Sequence, residues 1–279
     1  MGSLLKSEWR KLIYARAHWG LLIAGMFVAG LGTAVTPAIL DNPETGFGLS
    51  LDQTQAVDAV YANAISSYFF AIIIGIMLMS GEFRHGTAVA TFLTAPKRGT
   101  VLANKLGIAA IGGILVMVIS TAAGLAGGWV ALSFFPDAAD PTSAVFVNTL
   151  LAAVVSGAIL GIVGVALGTL IRNQMLAITG ALIYLFVIDP ILLTLLPDTG
   201  KYLPAGLITA MLSLDIEAPE FGIDTTAYLP PLTAMIVLLG YGAVFAVLAI
   251  TTSLRRDIES AQGKRRVGLA RVKSFGVRS

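Results

Sequence analysis

Residues 141–171, PTSAVFVNTLLAAVVSGAILGIVGVALGTLI, contain no charged side chain. A helix of about 20 residues crosses the roughly 30 Å hydrocarbon core of a membrane, so this stretch is long enough to span it. Asp140 directly precedes the stretch, and Arg172 directly follows it. The stretch therefore predicts a transmembrane helix with one acidic and one basic flank.

Five further stretches resemble it in length and lack of charge, apart from Asp189 in one of them: 19–40, 59–81, 106–136, 173–197 and 225–254. The chain is 56% hydrophobic and only 12% charged, with a mean hydropathy of +0.85. These values are typical of membrane proteins and not of soluble domains. We therefore predict an all-α integral membrane protein with a single transmembrane domain, 1–279, and spans at about 19–40, 59–81, 106–134, 143–171, 174–197 and 229–254.

Basic residues are concentrated on one side of the predicted membrane. Of the 18 Lys and Arg residues, all but Lys201 lie on the same side as the N-terminus, whereas eleven of the 16 acidic residues lie in the opposite loops. Cytoplasmic loops of membrane proteins carry an excess of Lys and Arg. This topology predicts a multi-pass protein with both termini in the cytoplasm, and its Ala- and Gly-rich spans favour a bacterial cell membrane.

Two segments on the predicted cytoplasmic side are amphipathic. Residues 3–17 (SLLKSEWRKLIYARA) predict a helix lying in the membrane interface. Within residues 82–105 (EFRHGTAVATFLTAPKRGTVLANK), a short helix that ends at Pro96 has an apolar face of Ala88, Val89, Phe92 and Leu93. Two turns cannot span a membrane, so we expect lipid headgroups or another protein to cover this face.

The remaining segments are less specific. The predicted outer loop 198–228 contains twelve uncharged residues, 203–214, which favour a re-entrant or interfacial helix. The basic segment 255–279 predicts a cytoplasmic tail that contacts lipid. Small residues recur at four-residue spacing in three pairs: Gly124 with Gly128, Gly157 with Gly161, and Gly164 with Gly168. This spacing predicts close packing between helices, and the helix interface is either fixed or mobile.

Several kinds of chemistry are excluded by the sequence. It has no G-x-x-x-x-G-K-[ST] motif, so the chain has no phosphate-binding P-loop and cannot hydrolyse ATP itself. It has no cysteine, and its two histidines, His18 and His85, are far apart in the sequence. We therefore expect neither an enzyme active site nor a metal site in this chain.

Asp189 is the one ionisable residue inside a predicted span, about 24 Å along the helix from the inner end. Intramembrane carboxylates often line a water-filled pathway or bind a coupling ion. Pro190, the next residue, favours a kink in the helix. Alternatively, the carboxylate lies near the outer interface, reaches headgroup water and has a structural role. The sequence leaves both interpretations open.

The order of these segments resembles the membrane subunit, or permease, of an ABC-2 type ABC transporter. The similarity covers SEWRKL (7–12), residues 82–105, ALGTLIRN (166–173), YLPAG (202–206) and SLRRDI (253–258). It implies that the amphipathic segment 3–17 is the elbow helix of the family. The most specific match is the family pattern E-x-R-x-G-T … P-x-R … K, which falls on Glu82, Arg84, Gly86, Thr87, Pro96, Arg98 and Lys105.

The resemblance implies a permease subunit of an ATP-driven exporter. Two permeases, identical or different, would form the translocation pathway, and two separate ABC ATP-binding subunits would dock beneath them and carry the ATP and Mg. No cofactor would bind to this chain, its other contacts would be membrane lipid, and no nucleic acid is implied. Residues implied to couple to the ATPase are Glu82, Arg84, Gly86, Thr87, Phe92, Leu93, Pro96, Arg98 and Arg172. Candidate pathway residues are Tyr61, Ser67, Tyr68, Phe70, Tyr184 and Asp189.

Two other classes of function stay open at this point. One is an ion-coupled secondary transporter that uses Asp189, and the other is a membrane scaffold that moves no cargo. For an exporter, the absence of a large outer domain and of strongly aromatic spans favours a drug-like, peptide or natural-product cargo.

Overall fold

The computed structural model describes residues 2–42, 49–84, 98–171, 173–214, 217–218, 223–224 and 228–252. Its helices are α1 (Gly2–Tyr14), α2 (Arg16–Leu40), α3 (Thr54–Ala62), α4 (Phe69–Arg84), α5 (Arg98–Leu132), α6 (Ser143–Leu170), α7 (Gln174–Ile183), α8 (Asp189–Leu195), α9 (Pro197–Gly200), α10 (Pro204–Leu212) and α11 (Pro231–Thr252). Two-residue strands, β1 (Glu217–Ala218) and β2 (Ile223–Asp224), pair antiparallel, with Glu217 opposite Asp224.

Within the described residues, six helical stretches are long and apolar enough to cross a membrane: Arg16–Leu40, Thr54–Gly81, Val101–Leu132, Ser143–Leu170, Gln174–Leu195 and Pro231–Thr252. They confirm the prediction of an all-α membrane protein with six spanning helices. We call the end of this bundle that carries α1 the α1 end, and the opposite end, which carries α10, the α10 end.

Helix α5 lies at the centre of the bundle, where it packs most extensively against α2 and α6, and α6 in turn packs against α4. Span two is the most buried of the six, whereas the first, fifth and sixth spans leave most of their surface exposed. That exposed surface is strongly apolar, so in a membrane protein lipid or another membrane-embedded chain covers it.

Glycines allow α4, α5 and α6 to touch through their backbones. A Cβ atom on Gly157 would lie 2.7 Å from the carbonyl oxygen of Gly113, and one on Gly164 would lie 2.8 Å from the Cα of Gly75. Apolar burial gives little drive for helix association in lipid, so such close approach is a main source of packing energy. The close packing predicted from the small-residue spacing is confirmed, while its mobility stays a prediction.

Two of the six spans are not continuous α-helices. Span two is interrupted between α3 and α4 by a 3₁₀ turn, Asn63–Ile65, and the turn residues that follow it. Span five changes to a π-helical turn, Tyr184–Ile188, between α7 and α8. The interruption of span two carries polar side chains at 63, 66 and 67, and in span five Pro190 lacks the N–H that a regular α-helix needs.

Candidate functional site

The two interruptions adjoin a cleft of about 470 Å³ near the α10 end, which we call the α10 cleft. Its walls come from α2, α3, the two irregular turns and α10, and its polar lining consists of Thr36, Asn63, Ser66, Tyr68 and Thr209. Irregular backbone at membrane depth is tolerated only where protein buries it or where it lines a water-filled cavity. The position of the cleft therefore matches the position of the irregular backbone.

Aromatic rings join the two interruptions. The ring centroids of Phe69 and Phe186 are 4.9 Å apart, which links the start of α4 to the π-helical turn. On the other wall, Asn63 Nδ2 donates a hydrogen bond of 2.9 Å to Thr36 Oγ1 and so ties the 3₁₀ turn to α2. A movement of either broken span would consequently change the shape of the α10 cleft.

Asp189 lies directly behind one wall of this cleft. Its side chain is fully buried, and its Oδ2 atom accepts a hydrogen bond of 3.0 Å from the backbone N–H of Ala205, a residue that lines the cleft. Within the described part of the chain, its Oδ1 atom has no hydrogen-bond partner. The carboxylate thus caps the N-terminus of α10, whose partial positive charge favours an anion.

This placement bears on the two interpretations of Asp189. The structural interpretation expected a carboxylate near the interface in contact with headgroup water, but the side chain is enclosed by protein. It still has a structural contact, because it fixes the first turn of α10. Just before Pro190 the helix forms the π turn, in which the N–H of Asp189 donates to the carbonyl of Tyr184, and a kink at Pro190 stays a prediction.

Of the six candidate pathway residues, Tyr68 is the one that lines the α10 cleft. Tyr184 lies at the start of the π turn and does not line the cleft. Ser67 is fully buried beside Tyr68, and its hydroxyl has no hydrogen-bond partner in the described residues.

The other two candidates face the bundle interior. The ring of Tyr61 packs against Phe146 at a centroid distance of 4.9 Å. Phe70 stacks beside Phe69 and lies close to Gly25 of α2. Both rings therefore contribute to helix packing rather than to the lining of the cleft.

The α1 end contains a second buried charge cluster, centred on Glu8. Its Oε2 atom accepts from Lys105 Nζ at 2.9 Å, and its Oε1 atom accepts from Lys11 Nζ at 2.7 Å. The side chain of Lys105 is only 1% exposed and that of Glu8 only 5%. This ion pair fastens α1 to the start of α5, across 97 positions of sequence.

Electrostatics at this pair keep Glu8 ionised. Burial acts to raise the pKa of the Glu8 carboxyl, but the ammonium groups of Lys105 and Lys11 outweigh burial and hold that pKa below its ordinary value of 4.5. An ionised carboxylate with a cation on each oxygen satisfies the rule that buried charges must be paired.

Side chains of α2 secure the junction with α1. His18 Nδ1 lies 2.8 Å from the carbonyl oxygen of Leu12, and Trp19 Nε1 donates to that of Ile13 at 2.7 Å. They occupy carbonyls in the last turn of α1, which have no partners within the helix. Helices α1 and α2 are thereby held together at a fixed bend, while the position of α1 at the membrane interface stays a prediction.

Most residues implied to couple to an ATPase lie outside the described residues: Gly86, Thr87, Phe92, Leu93, Pro96 and Arg172. The structure places the backbone of Glu82 and Arg84 in the last turn of α4 and that of Arg98 at the start of α5. The predicted coupling loop therefore connects two central helices of the bundle.

Sequence reasoning missed three features of these sites. It did not pair Glu8 with Lys105, because nothing local links residues that far apart. It did not predict that Asp189 caps α10, although YLPAG (202–206) contains the first residues of this helix. The break in span two was also missed, although the polar residues Asn63, Ser66 and Ser67 could have indicated it.

Six helices of spanning length in the described residues, two of them interrupted beside a cleft, define a multi-pass membrane protein. The model of a family described as ABC-2 family transporter protein matches residues 4–188, well over half of the chain. The chain therefore belongs to the ABC-2 transporter family and is a transporter permease. A search of curated proteins found no match to it.

Proposed function

We propose that this chain is the permease subunit of an ATP-driven exporter in a bacterial cell membrane. Two permeases form the translocation pathway, and two separate ABC ATP-binding subunits, with their ATP and Mg, supply the power. The observation that carries the proposal is the family match over residues 4–188, which includes the α1 end, both interrupted segments and the loop between α4 and α5. The α1 end and both termini then face the cytoplasm.

The packing suggests how an ATPase would act on the cleft. Closure of the ATPase dimer would displace the loop between α4 and α5. Helix α4 leads from that loop directly to the interruption at 63–68, which forms a wall of the α10 cleft. Tight backbone contacts of α4 with α6 make a rigid shift more favourable than bending, because packed cores do not deform continuously.

One alternative keeps a specific observation in its favour. A secondary transporter that couples cargo to an ion would need an intramembrane carboxylate, and Asp189 has one oxygen without a hydrogen-bond partner in the described part of the chain. This alternative requires transport without an ATPase partner.

The test is purification of the tagged chain in mild detergent, followed by mass spectrometry of co-purifying proteins. We expect an ATPase subunit with a P-loop, and we expect Phe92→Asp combined with Leu93→Asp to remove it. The control replaces Leu195 and Leu196 with Asp, because this is another adjacent apolar pair, exposed at the α10 end.

Each outcome has a clear meaning. An ATPase that is retained by the Phe92 and Leu93 variant would contradict the assignment of the coupling loop. A wild-type preparation without any nucleotide-binding partner, even after cross-linking, would overturn the proposed function and favour the ion-coupled alternative.

A further inference from the structure

The charge of Asp189 is not balanced by a cation in the described structure. No described Lys or Arg forms an ion pair with it. Between Lys105 and Arg255 the sequence contains only two basic residues, Arg172 and Lys201, and the ammonium of Lys201 lies 3.3 Å from Asp198. When Asp189 is ionised, its negative charge therefore has no compensating cation among the described residues.

The carboxylate of Asp189 does not line the α10 cleft itself but contacts a residue that does. The Asp189 carboxylate is hydrogen-bonded at 3.0 Å to the N–H of Ala205, and Ala205 lines the cleft. Solvent screening is weak in such a buried place, so the field of the carboxylate extends into the adjoining space.

The lining of the cleft suits a cation with an apolar body. The rings of Tyr68 and Phe186 present π electrons, which attract cations, and Asn63, Ser66 and Thr209 add neutral polar groups. The volume of about 470 Å³ lies within the range of small-molecule sites.

We propose that the α10 cleft binds an amphipathic organic cation, an onium or ammonium group on an apolar multi-ring body, with Asp189 as the counter-charge behind the wall. This inference rests on the proposed function, whose cargo class it names. Asp189 does not line the cleft, so it acts on the ligand through its electric field and not by direct contact.

Two ions of nearly equal shape and opposite charge provide the test. Equilibrium dialysis of the purified full chain in detergent compares tetraphenylphosphonium with tetraphenylborate, each corrected with protein-free micelles. We expect the phosphonium to bind about tenfold tighter than the borate, because opposite charges attract and like charges repel in a weakly screened site.

Variants separate the charge of Asp189 from its role in packing. Asp189→Asn keeps an acceptor for the N–H of Ala205 but removes the charge, so it should abolish the preference for the phosphonium. Asp58→Asn is the matched control, because Asp58 is a carboxylate at the same end that caps Thr142 and does not line the cleft; it should leave the preference unchanged.

A second variant covers the case in which Asp189→Asn does not fold. Thr209→Phe fills the cleft without altering Asp189 and should weaken phosphonium binding at least tenfold. Equal binding of both ions by the wild type, or an unchanged preference in Asp189→Asn, would overturn the inference.

These measurements need no ATPase, so the two proposals fail separately. If an ATPase co-purifies with the chain but the chain shows no cation preference, only the proposed cargo class is contradicted. If the chain prefers the cation but has no ATPase partner, the proposed function is contradicted and the cation site in the cleft is supported.

Discussion

The two ends of the bundle differ in how a buried carboxylate is paired. At the α1 end, both oxygens of Glu8 accept from lysine ammonium groups, and the ion pair with Lys105 joins α1 to α5. At the α10 end, Asp189 has a hydrogen bond on one oxygen only, and two interrupted helices surround a cleft. The difference indicates a fixed anchor at one end and an adaptable site at the other.

The energetic reason lies in the cost of burying charge. A buried ion that loses its partner is strongly destabilising, whereas a charge that was never fully paired can be removed at little cost to folding. Pairing at the α1 end thus contributes to stability. Incomplete pairing at the α10 end leaves the field of an ionised Asp189 uncompensated beside the cleft.

The largest effect on the yield of folded protein should come from the backbone contacts that join α4 to α6. Gly164→Leu would force a side chain against Gly75 and the backbone of α4, and no rotamer change relieves a backbone clash. We expect most of the protein to be lost from the monodisperse peak in size-exclusion chromatography. Gly240→Leu is the control, because a Cβ there meets nothing within 4 Å; equal loss in both variants would contradict the role of these backbone contacts.

Neutralising the Glu8–Lys105 ion pair, which we call the anchor, should have the next largest effect on stability. Glu8→Gln leaves Lys105 buried beside a neutral amide, and we expect a loss of about 3 kcal/mol in unfolding free energy. Thermal unfolding in detergent measures it. The charge swap Glu8→Lys with Lys105→Glu should recover part of the loss, and Lys11→Ala should cost much less because Lys11 is 44% exposed. No recovery in the swap would show that the site needs this particular geometry.

The anchor should also depend on pH in a defined direction. The folded-state pKa of Glu8 lies below its ordinary value of 4.5, so its contribution is present above pH 4.5 and is lost as the pH falls through the lower folded-state value. The difference in melting temperature between wild type and Glu8→Gln should therefore be full at pH 7 and shrink below pH 4.5. A difference that stays constant down to pH 3 would contradict the role of the charge.

The smallest effect on stability is expected at the α10 end. Asp189→Asn should change the unfolding free energy by less than about 1 kcal/mol or raise it, because the amide oxygen still accepts from Ala205. The same thermal unfolding experiment measures it beside Glu8→Gln. A loss as large as that of Glu8→Gln would mean that Asp189 is also an anchor, and the contrast between the two ends would be lost.

Much of this protein follows from its sequence alone. Long uncharged stretches must become helices in lipid, since the backbone has no other way to satisfy its hydrogen bonds there. That constraint determined the six spans, and the four-residue spacing of small residues indicated close packing. The positions of Asp189 and Pro190 also marked an irregular place in span five.

Only the tertiary structure decided which distant groups meet. It paired Glu8 with Lys105, and it placed Asp189 against the first turn of α10. It also brought the interruption of span two beside the π turn of span five to form the α10 cleft. Periodicity and composition describe the surroundings of each helix by itself, whereas pairing of charges depends on how helices far apart in the sequence come together. For that reason the sequence determined the membrane architecture, and the packing of the helices decided where the charges are balanced.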